Sequence, residues 1–447
     1  MTDASAALLA TLRSEPVVGS VALGLVLPAE WIHRRVENVC FATDDLVRRR
    51  VSLDLTIGFA TPNIGTTDDS RLVPIALLRK RVLRHLDVHG GDGVPLPILT
   101  TRQNGELAAA VLQYTVEALA GLSVSGIAPA LTTIATRPIE EAMEARKVLL
   151  EELRALDDGD PLSSLANGVA FHDFTRQFAE NFILAAVVHA PVGHRMVIKF
   201  AYDEPTQPDG VGRLRRLAQT MGWDTREFRF DIPAAAATES FHIEIDAPDG
   251  VAVSGAALFA QGIDSALPAE DLTDFQPAPV PRAGAAGVHF HARGGESSHA
   301  EVYLWLRIAR AGWLRSALLA TGAVVILTTL NAWRISALVG GGRNLTAAAS
   351  SRTVSTDVAA LLMAVVALVL SFAIRIGEHP VTARTVSGVR VVTVLAAVLP
   401  LVDGWLLAFG PSGSGLKIAW WVVAVVSWIL FGLVAWAYRG PNSVTPI

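Results

Sequence analysis

The stretch that decides the fold is residues 418–438, IAWWVVAVVSWILFGLVAWAY, which carries no charged side chain and is closed by Arg439. A helix of that length covers about 31 Å at 1.5 Å per residue, which matches the roughly 30 Å hydrocarbon core of a bilayer. Trp420 and Trp436 lie near its two ends, as aromatic residues do at membrane interfaces. The stretch therefore predicts a transmembrane helix.

Three further apolar stretches precede it in the last third of the chain. Each is long enough to cross a bilayer, and each is bounded by an arginine on at least one side. Helix is the expected conformation, because a single segment in lipid must satisfy its backbone hydrogen bonds internally. Residues 310–447 thus predict a four-helix transmembrane bundle, with helices at about Ser316–Trp333, Val358–Ile374, Val391–Phe409 and Ile418–Tyr438.

Charge divides the chain at the same place. Residues 310–447 hold ten Lys and Arg against three Asp and Glu, whereas residues 1–309 hold 27 against 39. The acidic region before residue 310 argues against a nucleic-acid partner, because phosphate binding needs clustered positive charge. The expected partners are the lipid bilayer and, for the soluble region, another protein or a second copy of this chain. The preference for Arg over Lys, together with abundant Ala, Val and Leu, is typical of a bacterium with a GC-rich genome.

The distribution of basic residues predicts which side of the membrane the soluble region occupies. With four spans, the region before residue 310, the loop 375–390 and the C-terminus share one side. That side carries seven arginines near the spans, against four basic residues on the other side. The positive-inside rule then places the soluble region and both termini in the cytoplasm of a multi-pass cell-membrane protein. No basic segment precedes the apolar run Val17–Leu27, so no cleaved signal peptide is predicted.

Residues 1–309 alternate between strand-like and helical stretches, which predicts an α+β fold. Val51, Leu53, Leu55 and Ile57 alternate with polar residues, as in a half-buried strand. We predict two β-rich modules, at about 17–100 and 184–309, that flank a helical middle at about 101–183. Helices are expected at about 102–122, 138–156, 171–182 and 212–221. The resulting domains are 1–183, 184–309 and 310–447.

The last predicted strand leads almost directly into the first predicted span. Glu301–Ile308 alternates as a strand, and Ala309–Trp313 is the whole connection to the membrane. A connection of about five residues leaves little slack. The sequence therefore suggests that a rearrangement of the second β-rich module is transmitted to the helices.

One ionisable residue, Asp403, falls inside a predicted span. An acid in hydrocarbon is costly unless it meets a partner or water, so it is a functional candidate. Asn331 of the first span has a similar predicted depth. In the alternative interpretation the third helix ends near Val402 and leaves Asp403 in the headgroup layer.

A basic run in the soluble region is the first candidate ligand site. Its side chains would attract an anionic ligand or lipid headgroups, although such runs are more often solvated surface; the residues are Arg79, Lys80, Arg81 and Arg84. His289 and His291 share one face of a predicted strand, but two histidines fall short of the three or four ligands of a typical metal site. No metal or cofactor is predicted.

No sequence signature of catalysis is present. The chain lacks a Walker A sequence, a G-x-S-x-G elbow and an H-E-x-x-H motif. The single cysteine, Cys40, excludes an intrachain disulfide. We therefore expect a membrane-anchored cytoplasmic binding or sensor module coupled to four transmembrane helices, and we favour a non-enzymatic function. The alternative is a subunit of an oligomeric channel or transporter that uses Asp403.

Overall fold

The computed structural model describes residues 3–26, 30–43, 46–65, 69–81, 83–121, 123–157, 160–206, 212–233, 238–261, 287–293, 299–340, 378–409 and 414–439. The helices before residue 310 are α1 (Asp3–Leu12), α2 (Glu15–Val26), α3 (Thr101–Ala120), α4 (Ala128–Thr136), α5 (Ile139–Arg154), α6 (Val169–Glu180) and α7 (Arg213–Thr220). A 3-10 helix lies at Pro161–Asn167. After a π-helical turn at Arg310–Leu314 come α8 (Arg315–Gly340), α9 (Pro380–Thr385), α10 (Ser387–Phe409) and α11 (Ser414–Arg439).

The strands are β1 (Ile32–Phe41), β2 (Leu46–Thr56), β3 (Ser70–Arg79), β4 (Arg84–Gly90), β5 (Asn181–His189), β6 (Arg195–Pro205), β7 (Arg226–Pro233), β8 (Ser240–Asp246), β9 (Val251–Gln261), β10 (Gly287–Arg293) and β11 (His299–Ile308). Within the described ranges, six of them form a central sheet in the order β10-β8-β1-β2-β6-β4. Neighbouring strands are antiparallel, except that β1 and β8 are parallel. The chain is thus a mixed α+β protein, as predicted.

The central sheet takes strands from both predicted β-rich modules. β1, β2 and β4 come from the first module, and β6, β8 and β10 come from the second. The parallel pairing of β1 with β8 brings Arg34 opposite Ser240. The two modules are therefore joined by a shared sheet. The β1–β8 pairing links segments that are far apart in sequence, and no local side-chain pattern indicates this pairing.

One face of the central sheet is buried beneath two smaller sheets that lie side by side. The sheet β7-β11-β9 covers the half that contains β8 and β10, and the pair β3-β5 covers the half that contains β6 and β4. On β2 the buried residues Val51, Leu53 and Leu55 alternate with more exposed ones, which confirms the predicted half-buried strand. The opposite face of the central sheet carries mostly polar side chains.

A layer of helices covers the other side of β3-β5. Residues of α2 to α6 pack there on Leu72, Ile183 and Ala185. The predicted helices at 102–122, 138–156 and 171–182 are confirmed as α3, α5 and α6, and 212–221 is confirmed as α7. α3 begins with a capping box between Thr100 and Gln103, which satisfies backbone N–H groups of the first turn.

One prediction for this region is wrong. Residues from 17 onward, assigned to the first β-rich module, form helix α2, because Val17, Val18, Val21 and Ala22 recur at helical spacing and pack in the helical layer. The apolar segment from residue 73 to 88 is divided between β3 and β4, which belong to different sheets. Helix α4 was not predicted.

The C-terminal region contains three helices that are long and apolar enough to cross a membrane, within the residues that the structure describes. They are Arg310–Ala337, Ser387–Leu406 and Ser414–Arg439. Large apolar side chains point outward from all three, including Leu319 at 66%, Val391 at 57% and Ile418 at 65% exposure. Exposed apolar surface of this extent is typical of a membrane-contacting protein. The fourth predicted span, Val358–Ile374, lies outside the described residues, so three candidate spans are found rather than four.

The soluble domain sits at one end of these helices. α8 starts there, directly after β11, and α10 starts there, where Gly388 meets Thr220. α11 runs the other way, since its last turns contact Gly222 and Trp223. At the far end of the bundle, Ala332 and Ile335 of α8 pack with Leu406 of α10 and Trp420 of α11.

Candidate functional site

The contact region between the soluble domain and the helix bundle, which we call the joint, is a continuous apolar cluster. Met221 and Ile308 of the soluble domain are buried there against the first turns of α8 and α10 and the last turns of α11. The bundle residues in the cluster are Trp313, Leu314, Ala317, Val386, Val389, Val392, Val434 and Ala437. The soluble domain and the bundle are therefore in direct apolar contact.

Hydrogen bonds pin the joint at three places. The indole Nε1 of Trp223 donates to the Leu433 carbonyl of α11 at 3.1 Å. His379, which precedes α9, donates from Nε2 to the Phe41 carbonyl at 2.8 Å, and Thr382 of α9 donates from Oγ1 to the Asp249 carbonyl at 2.5 Å. These bonds attach the bundle to the end of β1 and to the β8–β9 turn.

A charged group closes the joint at the start of α8. Trp313 Nε1 donates to Glu378 Oε1 at 2.7 Å, and Arg390 forms an ion pair with Glu378. The Arg390 guanidinium also lies 4.6 Å from the centre of the Trp313 ring, as in a cation–π contact. The short connection predicted at Ala309–Trp313 is therefore held by both α10 and the segment before α9.

Glycines allow the close approach of the two parts. A Cβ on Gly388 would lie 2.6 Å from the Thr220 carbonyl oxygen, so α10 starts against the backbone that follows α7. Gly250 has a φ of +87°, and a Cβ added there would lie 2.7 Å from Thr382 Cγ2. Larger residues at these positions would push the bundle away from the soluble domain.

Two of the four predicted ligand-binding residues line one cleft. Arg79 and Arg81 lie on its wall together with Glu180, and the open cleft has a volume of about 680 Å³. Pro205 and Thr206, at the end of β6 that is nearest the bundle, also line the cleft. Arg79 and Glu180 form an ion pair at 3.9 Å, so the cleft presents a surface of mixed charge to a polar or charged ligand.

The other two residues of the basic run have different environments. The Lys80 ammonium donates from Nζ to the Ile134 carbonyl at 2.7 Å, so it caps the C-terminal end of α4, and burial lowers its pKa to about 8. Arg84 is exposed at the start of β4, where its backbone pairs with Asp203.

A buried ion network, which sequence reasoning missed, lies between the two halves of the central-sheet core. Glu37 is fully buried and accepts from Arg35 at 3.0 Å and from Arg49 at 2.9 Å. Arg49, 1% exposed, also pairs with Glu204 at 2.6 Å. The alternation of side chains along β1 and β2 places these residues on the inward face. That alternation is the feature of the sequence from which the buried network could have been predicted.

Asp403 lies within α10 and is fully buried. The helix continues to Phe409, so the alternative in which it ends near Val402 is wrong. Among the described residues, neither carboxyl oxygen has a hydrogen-bond partner, and the Nε1 of the buried Trp420 has none either. Asn331 of α8 is half-buried beside Ala332, which packs in the same cluster as Trp420, and no hydrogen bond joins it to Asp403 in the part of the chain described. Sequence analysis placed Trp420 at the membrane interface, whereas it is 1% exposed and packs inside the bundle.

The outer face of the central sheet brings histidines together across two strands. His242 of β8 lies 3.3 Å (Nδ1 to Nε2) from His289 of β10, and its ring centroid is 4.4 Å from that of His291. Burial and the neighbouring His291, Arg34 and His289 lower the pKa of His242. Within the described ranges, no three His, Cys, Asp or Glu side chains are grouped so as to hold a metal ion.

The sequence matches no protein-family model, and a comparison with curated proteins yields no similar sequence.

Proposed function

We propose that this chain is a four-span membrane protein whose soluble α+β domain, on the cytoplasmic side, binds a protein or small ligand and passes the resulting change to the helices. The observation that carries the proposal is the joint. A soluble domain that is only tethered would need a flexible linker, whereas here a shared apolar cluster and three hydrogen bonds connect it to the bundle.

The direction of the helices supports a fourth span. α8 ends at the far end of the bundle, while Glu378 and His379 contact Trp313 and Phe41 at the joint. Residues 340 and 378, the described residues on either side of this segment, therefore lie at opposite ends of the bundle, and the proposed fourth span accounts for that separation. The sequence there contains Val358–Ile374, the apolar stretch that predicts a span.

Arginines at the joint end support the cytoplasmic placement. Arg315 starts α8, Arg384 lies in α9 and Arg439 ends α11, all at this end. At the far end, the described basic residues are Arg334 of α8 and Lys417 in the first turn of α11. The positive-inside rule favours the cytoplasm for the side with more basic residues.

The coupling is tested by measuring a distance between two spin labels in the full chain, in lipid nanodiscs. Cys40 is the single cysteine, so a Cys40→Ser background accepts labels at Val192→Cys, in the β5–β6 turn, and Val422→Cys, on α11. These side chains are 63% and 55% exposed. We expect a narrow distance distribution in the parent chain and a broad one after insertion of ten Gly/Ser residues following Ala309. A parent distribution as broad as that of the insertion would contradict the proposal.

The ligand-binding part is tested at the cleft. A pull-down with the full chain should recover less of its partner when Arg79 and Arg81 are both changed to Glu. The matched control is Arg195→Glu, which removes an exposed arginine that pairs with Asp54 at the other end of β6. Equal recovery by both variants would exclude the cleft as the binding site.

A specific observation favours the alternative, a channel or transporter subunit. Asp403 is buried in the bundle with no partner among the described residues, and acids inside membranes mark ion and proton pathways. Flux of protons or monovalent cations into liposomes that contain the full chain, lost on Asp403→Asn, would support this function. Absence of flux would contradict the channel or transporter function and leave the binding or sensor function as the proposal.

A further inference from the structure

Helix α7 carries an apolar stripe that begins in the joint and continues outward without a cover from the described residues. Leu214, Leu217, Ala218 and Met221 recur at the i, i+3, i+4, i+7 spacing of one helical face. Met221 is 7% exposed against the bundle, whereas Leu217 is 55% and Leu214 is 84% exposed. The uncovered part of the stripe therefore extends away from the bundle.

The helix is fixed at the level where the membrane-spanning helices begin. The backbone at Thr220 touches Gly388 in the first turn of α10. Two residues past the end of α7, Trp223 bonds to Leu433, near the end of α11. Trp313 and Tyr438 pack in the joint at the same level, and aromatic residues of this kind mark the interface between hydrocarbon and headgroups.

The charge of α7 is opposite to that of the soluble region around it. Arg213, Arg215 and Arg216 are exposed, and residues 212–223 contain no acid. Arg215 pairs with Asp224 at 3.1 Å, while within the described ranges Arg213 and Arg216 have no ion-pair partner. At 100° per residue, Arg213 and Arg215 flank the apolar stripe on its two sides, which suits a helix that lies in an interface with its arginines at the phosphates.

We propose that α7 is an interfacial helix that inserts Leu214 and Leu217 into the bilayer beside the bundle and binds anionic lipid headgroups through Arg213. This rests on the proposed insertion of the bundle in a membrane. Position and charge favour lipid over a protein partner, because the end of α7 is attached where α10 begins and near the end of α11, and the helix carries three arginines and no acid. Two leucines are also far too few for a stable protein interface of about 1,000 Å² or more.

The test uses an environment-sensitive fluorophore on single cysteines in the Cys40→Ser full chain, reconstituted in nanodiscs that contain phosphatidylglycerol. The labels are placed at Leu214→Cys on α7, at Val425→Cys on the outer face of α11 (54% exposed), and at Val192→Cys in the turn before β6, at the opposite end of the central sheet. Nitroxide lipids quench a label in the bilayer, and aqueous iodide quenches a label in water. We expect nitroxide lipids to quench the label at position 214, as they quench the label at position 425. We expect iodide to quench the label at position 192.

The three labels separate failure of this inference from failure of the proposed function. Lipid quenching at 425 with iodide quenching at 214 would overturn the interfacial helix and leave the spans intact. Iodide quenching at 425 would instead contradict membrane insertion itself. Protection of position 214 from both quenchers would show that protein, such as a second copy of the chain, covers α7, and would also overturn the proposal.

Lipid charge tests the role of Arg213. Arg213→Gln should shift the equilibrium between inserted and free α7 by about fivefold in phosphatidylglycerol nanodiscs, as expected for one basic residue at an anionic surface. Its effect should disappear in phosphatidylcholine nanodiscs and shrink in about 1 M salt, where the Debye length is about 3 Å. Arg195→Gln is the control. An equal effect in both lipids would overturn the anionic-headgroup assignment.

Discussion

At the scale of single residues, the soluble domain contains an ion network in a place where apolar side chains are the rule. Glu37 is held by Arg35 and Arg49 with no exposed surface. Burying such groups is costly unless every charge is paired, so removal of one partner is far more damaging than removal of a surface pair. The network separates the core beneath β7-β11-β9 from the core beneath β3-β5.

We predict that Glu37→Ala lowers the free energy of unfolding by about 3–5 kcal/mol, because it removes the carboxylate that two buried guanidinium groups share. Asp54→Ala, which breaks the exposed pair with Arg195, should lower it by about 1 kcal/mol or less. Denaturant titration in detergent, followed by circular dichroism, measures both. Similar losses for the two variants would show that the network is not a buried electrostatic unit.

Lys80 predicts a specific pH dependence. Its folded-state pKa is lowered to about 8 by burial, below its value of about 10.4 in an unfolded chain. Between these two values the unfolded state binds more protons, so this residue makes stability rise as pH increases from about 8 to about 10. Comparing the thermal midpoints of the parent and Lys80→Met at pH 7.5 and pH 9.5 isolates the effect. The parent should gain relative to the variant at the higher pH, and a constant difference would contradict the prediction.

At the scale of elements, the β8–β9 turn and α9 meet at a glycine. Gly250 and Gly193 both adopt a left-handed backbone, at φ +87° and +81°, so an added Cβ strains both by a similar amount. They differ in surroundings, since a Cβ on Gly250 would lie 2.7 Å from Thr382 Cγ2, while nothing lies within 4 Å at Gly193. Comparing alanine substitutions at these two glycines therefore separates the cost of backbone strain from the cost of a steric clash at the joint.

We predict that Gly193→Ala costs about 1–2 kcal/mol of stability through its backbone alone. Gly250→Ala should cost a further 1–3 kcal/mol or so from overpacking, and should also speed hydrogen exchange in α9. Denaturant titration and peptide-level hydrogen exchange on the full chain provide the two measurements. Unchanged exchange in α9 in Gly250→Ala would show that the turn and the helix are not coupled.

At the scale of the whole molecule, the arrangement of the helices leads to a prediction about topology. α11 returns to the joint, so the C-terminus is expected on the same side of the membrane as the soluble domain. Fusions of a fluorescent protein that folds only in the cytoplasm, at the N-terminus and at the C-terminus, should both fluoresce, and alkaline phosphatase fusions at the same positions should be inactive. Opposite results at the two termini would exclude an even number of spans.

The membrane region was predictable from sequence because its determinants are local. A run such as Ile418–Tyr438 is apolar on every side, and no packing partner is needed to infer that it avoids water. Three of the four predicted spans have corresponding helices, and the fourth is outside the described residues. The helices α3, α5 and α6 were likewise predictable, because the spacing of their apolar residues and their end signals lie within the segment itself.

Within the soluble domain, side-chain spacing by itself determined which segments form strands and which form most of the helices. The tertiary structure alone decided how they combine: the parallel pairing of β1 with β8, the burial of Glu37 between Arg35 and Arg49, and the contact of Trp420 with the far end of the bundle. It also divided the basic run, placing Arg79 and Arg81 on a cleft and Lys80 on the end of α4. The physical reason is that periodicity reports which face of a segment avoids water, whereas its partner is selected by shape and charge complementarity between residues distant in the chain.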